Sequence, residues 1–200
     1  MLNIKNSPGT ERTERPSYVD CSLANCVPLL IQQNVDGSNF FNRSWAEFRV
    51  GFNDSSGNYW LGNELLVQLT LSGRYKLKFD LQSRRNTSHL YYAEYSTFRV
   101  LSEADNYTLQ VSGFSGSAQF DALGEHNAMM FTTYDRDNDR RSVYNCAAQF
   151  GGGFWHKSCF QCGVNALRGR GSGGSFFWSG LPGGPLLQSA RMWLQCKPED

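Results

Sequence analysis

Several things are scarce in this sequence, and each scarcity narrows the reading. No apolar stretch approaches the ~18 residues of a membrane-spanning helix, so no segment is expected to cross a bilayer. Charge is sparse, at 18% of residues, and nineteen basic groups against eighteen acidic ones leave a net +1. Such a chain has no global field to gather nucleic acid or an anionic membrane. Enzyme signatures are missing as well. There is no HExxH, no GxSxG elbow and no phosphate-binding GxxxxGKS/T. The three histidines, His89, His126 and His156, stand at no recognisable spacing from a nucleophile. The chain is therefore read as non-enzymatic.

What is present is aromatic and glycine-rich. Aromatics make up 14% of the chain, with fourteen Phe, nine Tyr and five Trp, so the bulk is folded rather than disordered. A chain of 200 residues can bury about 70% of its extended surface, enough for one domain with a sizeable core. Twenty glycines point to many turns and irregular loops.

The cysteines form an even set: Cys21, Cys26, Cys146, Cys159, Cys162 and Cys196. Composition does not choose among their pairings. Four glycosylation sequons start at Asn42, Asn53, Asn86 and Asn106. Together they place the protein in an oxidising, secreted setting. Met1 to Pro16 is polar and has no apolar core, so it is no secretory signal. The expectation is a fragment of a longer secreted protein, or a chain missing its true start.

Along the chain, residues 1–20 read as a poorly ordered lead-in, 21–196 as the domain and 197–200 as a tail. Ser44 with Glu47 three residues on makes a capping box, which predicts a short helix carrying Trp45 and Phe48 on one face. A second short helix is expected from Gly62-Asn63-Glu64 into Leu65, Leu66, Val67 and Leu69. Tyr75, Leu77, Phe79 and Leu81 alternate with polar residues, as in a half-buried strand. Residues 89–100 read as a strand pair or one bent strand, and Tyr107, Leu109 and Val111 alternate again. Residues 113–200 read mostly as loop, with Arg191 to Gln195 returning as a last strand. So long an irregular region is expected to be functional or stapled.

Two clusters carry metal chemistry. Asp135, Asp137 and Asp139 alternate in one short segment, and Ca²⁺ takes six to eight oxygens. The EF-hand template fails, because Arg140 stands where Gly is needed and Cys146 where Glu is needed. The other reading of this segment is a solvated acidic turn offset by Arg136, Arg140 and Arg141. His156-x-x-Cys159-x-x-Cys162 has zinc-ligand spacing, but a lone CxxC in an oxidising setting is a weak signal. The Arg168-Gly-Arg170-Gly run resembles one RNA-binding RGG fragment, and a single copy in a neutral chain reads as a loop.

Several segments in order resemble one family. They are Asp36-Gly-Ser38 with Phe40-Phe41, Trp45 and Gly51-Phe52; Gly57-Asn-Tyr59-Trp60-Leu61-Gly62-Asn63-Glu64; Tyr92-Ala93-Glu94-Tyr95-Ser96-Thr97-Phe98; His126-Asn127; Met130 through Asp139; and Asn145-Cys146-Ala147 with Cys159. Over about residues 27–195 the chain resembles the fibrinogen-related domain of fibrinogen chains, ficolins, tachylectins, angiopoietins, tenascins and fibroleukin.

The resemblance implies an α+β fold, fibrinogen C-terminal-like. A central, mostly antiparallel sheet with short helices would be joined to a loop-rich C-terminal subdomain that binds calcium. It implies Asp137 and Asp139 as calcium ligands, with Asp135 outside the pair, completed by the carbonyls of Ser142 and Tyr144, or by those of Arg141 and Val143 if counted from the aspartates. It also implies a Cys146–Cys159 disulfide.

Departures from the pattern are concentrated near the ligand region. Phe160 stands where His is common, Val164-Asn165-Ala166 replaces LNG, and Leu181 to Gln188 replaces an aromatic stretch. The usual first disulfide is missing or compressed. A Cys21–Cys26 bridge is geometrically open, and Cys162 with Cys196 is the expected extra pair.

The function implied is a secreted, calcium-binding recognition domain of lectin type. It would bind glycans or acetylated groups on cell surfaces in innate-immune recognition. The ligand wall is expected at Phe154, Trp155, Phe160, Asn165, Phe177 and Trp178. A lone domain binds weakly, so the full protein is expected to be multimeric. The alternative is an extracellular interaction module that docks a protein receptor or matrix partner.

Overall fold

The computed structural model describes residues 27–169 and 175–197. The lead-in, Cys21, Cys26, Arg170 and the last three residues lie outside the described residues.

Seven strands build one sheet, in the order β2-β3-β1-β7-β4-β5-β6, and every pairing is antiparallel. They are β1 (Leu29–Asn34), β2 (Phe52–Asn53), β3 (Tyr59–Trp60), β4 (Tyr75–Ser83), β5 (Asn86–Val100), β6 (Leu109–Ser115) and β7 (Leu187–Cys196). The helices are short: α1 (Trp45–Val50), α2 (Asn63–Thr70) and α3 (Cys146–Phe150).

The alternation in β4 is complete. Tyr75, Leu77, Phe79, Leu81 and Ser83 are buried, while Lys76, Lys78, Asp80 and Gln82 face outward. Residues 89–100 belong to one long strand, β5, rather than a pair. β7 is the surprise of position. It returns from the end of the chain to lie between β1 and β4, and it sets Leu194 opposite Leu77, Met192 opposite Phe79 and Ala190 opposite Leu81. Those six side chains are fully or almost fully buried.

Helix α1 has both halves of its capping box. The Ser44 hydroxyl accepts from the Glu47 N–H, and the Glu47 carboxylate accepts from the Ser44 N–H at 2.8 Å. Helix α2 is fastened to β5 through Thr70, whose hydroxyl accepts from the Val100 N–H at 3.0 Å.

One hydrophobic cluster joins all of this. Its largest enclosed members include Trp60, Trp155, Trp178, Phe48, Phe131 and Tyr95. Edge-to-face pairs such as Phe131–Trp155, with centroids at 5.3 Å, fill it with aromatic surface. The C-terminal third contributes its loops to the same core. Beyond β6 the only regular elements among the described residues are a short 3₁₀ turn (Gly124–His126), α3 and β7.

Candidate functional site

The aspartate segment begins where Thr132 pairs with Phe154, through N–H···O bonds of 2.9 and 3.1 Å. Asp135 is spent on structure: its Oδ1 accepts from the Trp45 N–H at 2.9 Å and from the Thr133 hydroxyl at 2.7 Å. Arg136 lies over the Trp45 ring, 3.9 Å from its centroid, and donates to Asn106 Oδ1. These contacts set the start of the loop against α1.

Asp137 and Asp139 then converge. Asp137 Oδ1 accepts from the Asp139 N–H at 3.2 Å. Asp139 accepts from the Arg141 N–H through Oδ1 at 2.6 Å and from the Cys146 N–H through Oδ2 at 2.7 Å. Burial pushes the Asp139 carboxyl above the usual aspartate range, and the Asp137 charge beside it adds to this. Ser142 is exposed and Tyr144 half-buried. Among the described residues, the carbonyls of residues 141–144 accept no backbone hydrogen bond.

The donor set therefore fits a hard cation: two close carboxylates, of which Asp139 is raised by burial and by the charge of its neighbour, next to carbonyls that accept no backbone hydrogen bond among the described residues. No third His, Cys, Asp or Glu joins them among the described residues, so carbonyls and water would have to complete the shell.

The loop is closed behind by the Cys146–Cys159 disulfide, with Cα atoms 5.5 Å apart. Asn145 caps α3 by accepting from the Ala148 N–H at 3.0 Å, and its Nδ2 donates to the Thr133 carbonyl at 2.8 Å. The disulfide brings the segment 157–161 beside the aspartate loop, where the Arg140 N–H donates to the Lys157 carbonyl at 2.8 Å. The Ser158–Cys159 peptide is cis. A recess of about 220 Å³ follows this segment, lined by Lys157 through Gln161 with Glu125 and His126.

His126 holds the floor of that recess. Its Nδ1–H donates to the Trp155 carbonyl at 2.7 Å, which leaves Nε2 to accept from the Gln161 N–H at 3.0 Å. Burial pushes its pKa down to about 4, so the ring is neutral at physiological pH. His156 is likewise lowered to about 4 by burial, and its Nε2–H donates to the Gly152 carbonyl.

The expected ligand wall divides in two. Phe154, Trp155, Asn165 and Trp178 are buried and belong to the core. Asn165 Oδ1 accepts from Gln32 Nε2 and its Nδ2 donates to the Gly153 carbonyl, each at 2.9 Å, so it ties this loop to β1. Trp155 and Trp178 point their indole N–H groups at the carbonyls of Tyr107 and Phe120. Only Phe160 and Phe177 stay half-exposed, with ring centroids 5.3 Å apart. Phe150 stacks edge-on against Phe160 at 4.8 Å, and Tyr144 reaches Phe150 at 6.4 Å. This strip of four rings runs from the aspartate loop to Phe177. Phe150 escaped the sequence reading, although it closes α3 just before Gly151-Gly152-Gly153.

The Cys146–Cys159 disulfide is the one the resemblance implied, and it leaves Cys159 no thiolate for the zinc spacing. One cysteine expectation changes. Cys162 is free and buried opposite Trp178, while Cys196 is disulfide-bonded at the far end of β7, so the expected Cys162–Cys196 pair does not form. Burial also raises the Cys162 thiol well above its ordinary range. Of the sequon asparagines, Asn53 is exposed and Asn42, Asn86 and Asn106 are half-buried. His89 is exposed on β5 and packs edge-on against Tyr91.

The sequence profile of the fibrinogen beta and gamma chains' C-terminal globular domain matches residues 5–182. The chain belongs to this family. Fibrinogen-type domains are recognition modules and not enzymes. Human ficolin-3 is 41% identical over 150 residues, covering 75% of this chain and 49% of ficolin-3. Human microfibril-associated glycoprotein 4 is 36% identical over 155 residues, covering 76% of this chain and 60% of its own length. The chain thus spans about half the length of ficolin-3. Its fold matches the fibrinogen-like globe domain of human ANGPTL2 with a TM-score of 0.76 and 31% identity, covering 90% of this chain and 85% of that one. It also matches a lamprey fibrin D-dimer solved with the peptide ligand Gly-His-Arg-Pro-amide, at a TM-score of 0.69 and 29% identity, covering 86% of this chain and 62% of that one. Homologues of the fibrinogen type are secreted or extracellular. Among the described residues no helix is long and apolar enough to cross a membrane.

Proposed function

We propose that this fibrinogen-type domain is a secreted, calcium-binding recognition domain of lectin type that takes acetylated groups of glycans. The carrying observation is the half-exposed strip of Phe150, Phe160 and Phe177, placed by a disulfide beside the paired carboxylates of Asp137 and Asp139. Aromatic faces suit the apolar side of a sugar and an acetyl methyl, while polar groups at the rim orient it. Asp137 and Asp139, with the carbonyls of Ser142 and Tyr144, would hold calcium. The ion would supply the positive charge that favours the ionised form of Asp139 beside Asp137. The protein's own part is to keep the strip rigid: the disulfide, the Asp139 bonds and the His126 bond to Gln161 hold its two edges.

A second reading, docking of a protein receptor or matrix partner, is favoured by one observation. Val143 and Tyr134 on the aspartate loop are 77% and 46% exposed, an apolar rim that a small sugar would not need.

The deciding test is retention of the oxidised protein, presented multivalently, on N-acetylglucosamine beads with calcium and then with chelator. Calcium-dependent retention that free acetylated sugar releases, and that Phe160→Ala abolishes, supports the lectin reading. No retention, with melting still raised by calcium, moves the ligand to the protein class.

A further inference from the structure

Arg84 and Arg85 form the exposed turn between β4 and β5. The Arg84 N–H donates to the Leu186 carbonyl at 2.9 Å, which folds this turn onto the segment that enters β7. Arg168 reaches the same segment from another loop, donating through Nη2 to the Gln188 carbonyl at 2.9 Å. Two glycines make room for the arginine stems. A Cβ at Gly184 would stand 3.0 Å from Arg85 Cδ, and one at Gly37 would stand 2.9 Å from Arg168 Cβ.

Three arginines thus meet at the entry of β7, Arg84 by its backbone, Arg85 by its stem and Arg168 by its guanidinium, in a chain whose net charge is only +1. Among the described residues, none of the three forms an ion pair. The Nε of Arg168 is buried and has no hydrogen-bond partner. Burial lowers the Arg168 guanidinium below its ordinary range and the charge of Arg84 lowers it further, while Asp36 acts in the opposite sense.

We propose that Arg84, Arg85 and Arg168 form a second ligand site that binds sulfate groups of an acidic polysaccharide. A tetrahedral anion would neutralise charges that now repel, and the planar fork of Arg matches its oxygens in pairs. A polysaccharide presents such groups in series, as a turn and a neighbouring loop require. A membrane surface is disfavoured, because the cluster sits on a hairpin and loops and carries no amphipathic helix to insert. The site also adjoins the aromatic strip, since the Leu167 N–H, next in sequence to Arg168, donates to the Phe150 carbonyl at 2.9 Å. The proposal goes beyond the acetyl-group reading and does not need it.

The test is affinity of the whole chain for heparin across a salt series, with desulfated heparin, free N-acetylglucosamine and phosphatidylserine vesicles as separate arms. Wild type is expected to bind heparin, and desulfated heparin is expected not to compete. The double variant Arg84→Gln/Arg85→Gln should lose about tenfold in affinity and show a shallower salt dependence, with unchanged melting. Arg168→Gln should weaken binding further. Arg99→Gln, an exposed arginine on β5, should leave it within about twofold. Absence of heparin binding, equal competition by desulfated heparin, or full affinity in the double variant overturns the site. So does arginine-dependent binding confined to the vesicles. Heparin binding without acetyl-sugar binding overturns only the lectin reading, and the reverse result overturns only the arginine site.

Discussion

Asp139 shows how one residue can be stable in its fold and still call for a partner. It anchors two backbone N–H groups, yet burial and the Asp137 charge make its ionised form costly. Asp137→Asn keeps an oxygen for the Asp139 N–H and removes the repulsion. In chelator the variant should melt at or above the wild-type temperature, and calcium should no longer raise it; a preserved calcium response in a thermal scan would refute the ligand assignment. His126 makes the complementary pH prediction. Its folded pKa of about 4 lies below the ordinary 6.5, so the unfolded chain binds more protons between those values. The stability it contributes is complete above about pH 6.5 and is lost as pH falls toward 4. His156 acts in the same direction. Melting of the chelated protein should fall across that window, and His126→Gln should flatten the fall. The alternating aspartates were legible in the sequence. The family motif already set Asp135 outside the ligand pair, but what holds it instead was not legible, because its partner, the Trp45 N–H, is ninety residues away in the chain.

At the scale of elements, local pattern worked where local physics decides. The capping box of α1 and the period-two alternation of β4 need only near neighbours, and both stand as read. The length of β5 and the central place of β7 depend on partners far along the chain. In β7, Met192 is fully buried against Phe79 while Trp193 points outward and donates to Asp80 Oδ2 at 2.8 Å. Met192→Ala should therefore cost about 2–5 kcal/mol in denaturant unfolding, as a cavity in a strand packed on both sides. A loss below 1 kcal/mol would mean that the sheet repacks around the gap.

For the whole molecule, the Cys146–Cys159 bridge links the candidate calcium loop to the segment that shapes the recess. It closes a loop of 13 residues, for which the chain-entropy argument gives about 3 kcal/mol. The double variant Cys146→Ser/Cys159→Ser should melt lower and lose its calcium response, while far-UV circular dichroism keeps the signature of the sheet. Loss of the sheet signal would instead make the bridge essential to the fold. Motif order was enough to identify the fibrinogen-type domain, its α+β class and this disulfide, because glycines, caps and paired cysteines act over short or fixed spacings. Which aromatics face a ligand was decided only in three dimensions. Phe154, Trp155 and Trp178 look like Phe160 and Phe177 in sequence, but the three core rings are needed to fill the space between the sheet and the C-terminal loops, and only the rings left over remain at the surface. The gathering of Arg84, Arg85 and Arg168 has the same origin. No local pattern joins Arg168 to the adjacent Arg84 and Arg85, and the entry of β7 brings them together through the Leu186 carbonyl, which takes the Arg84 N–H, and the Gln188 carbonyl, which takes the Arg168 side chain.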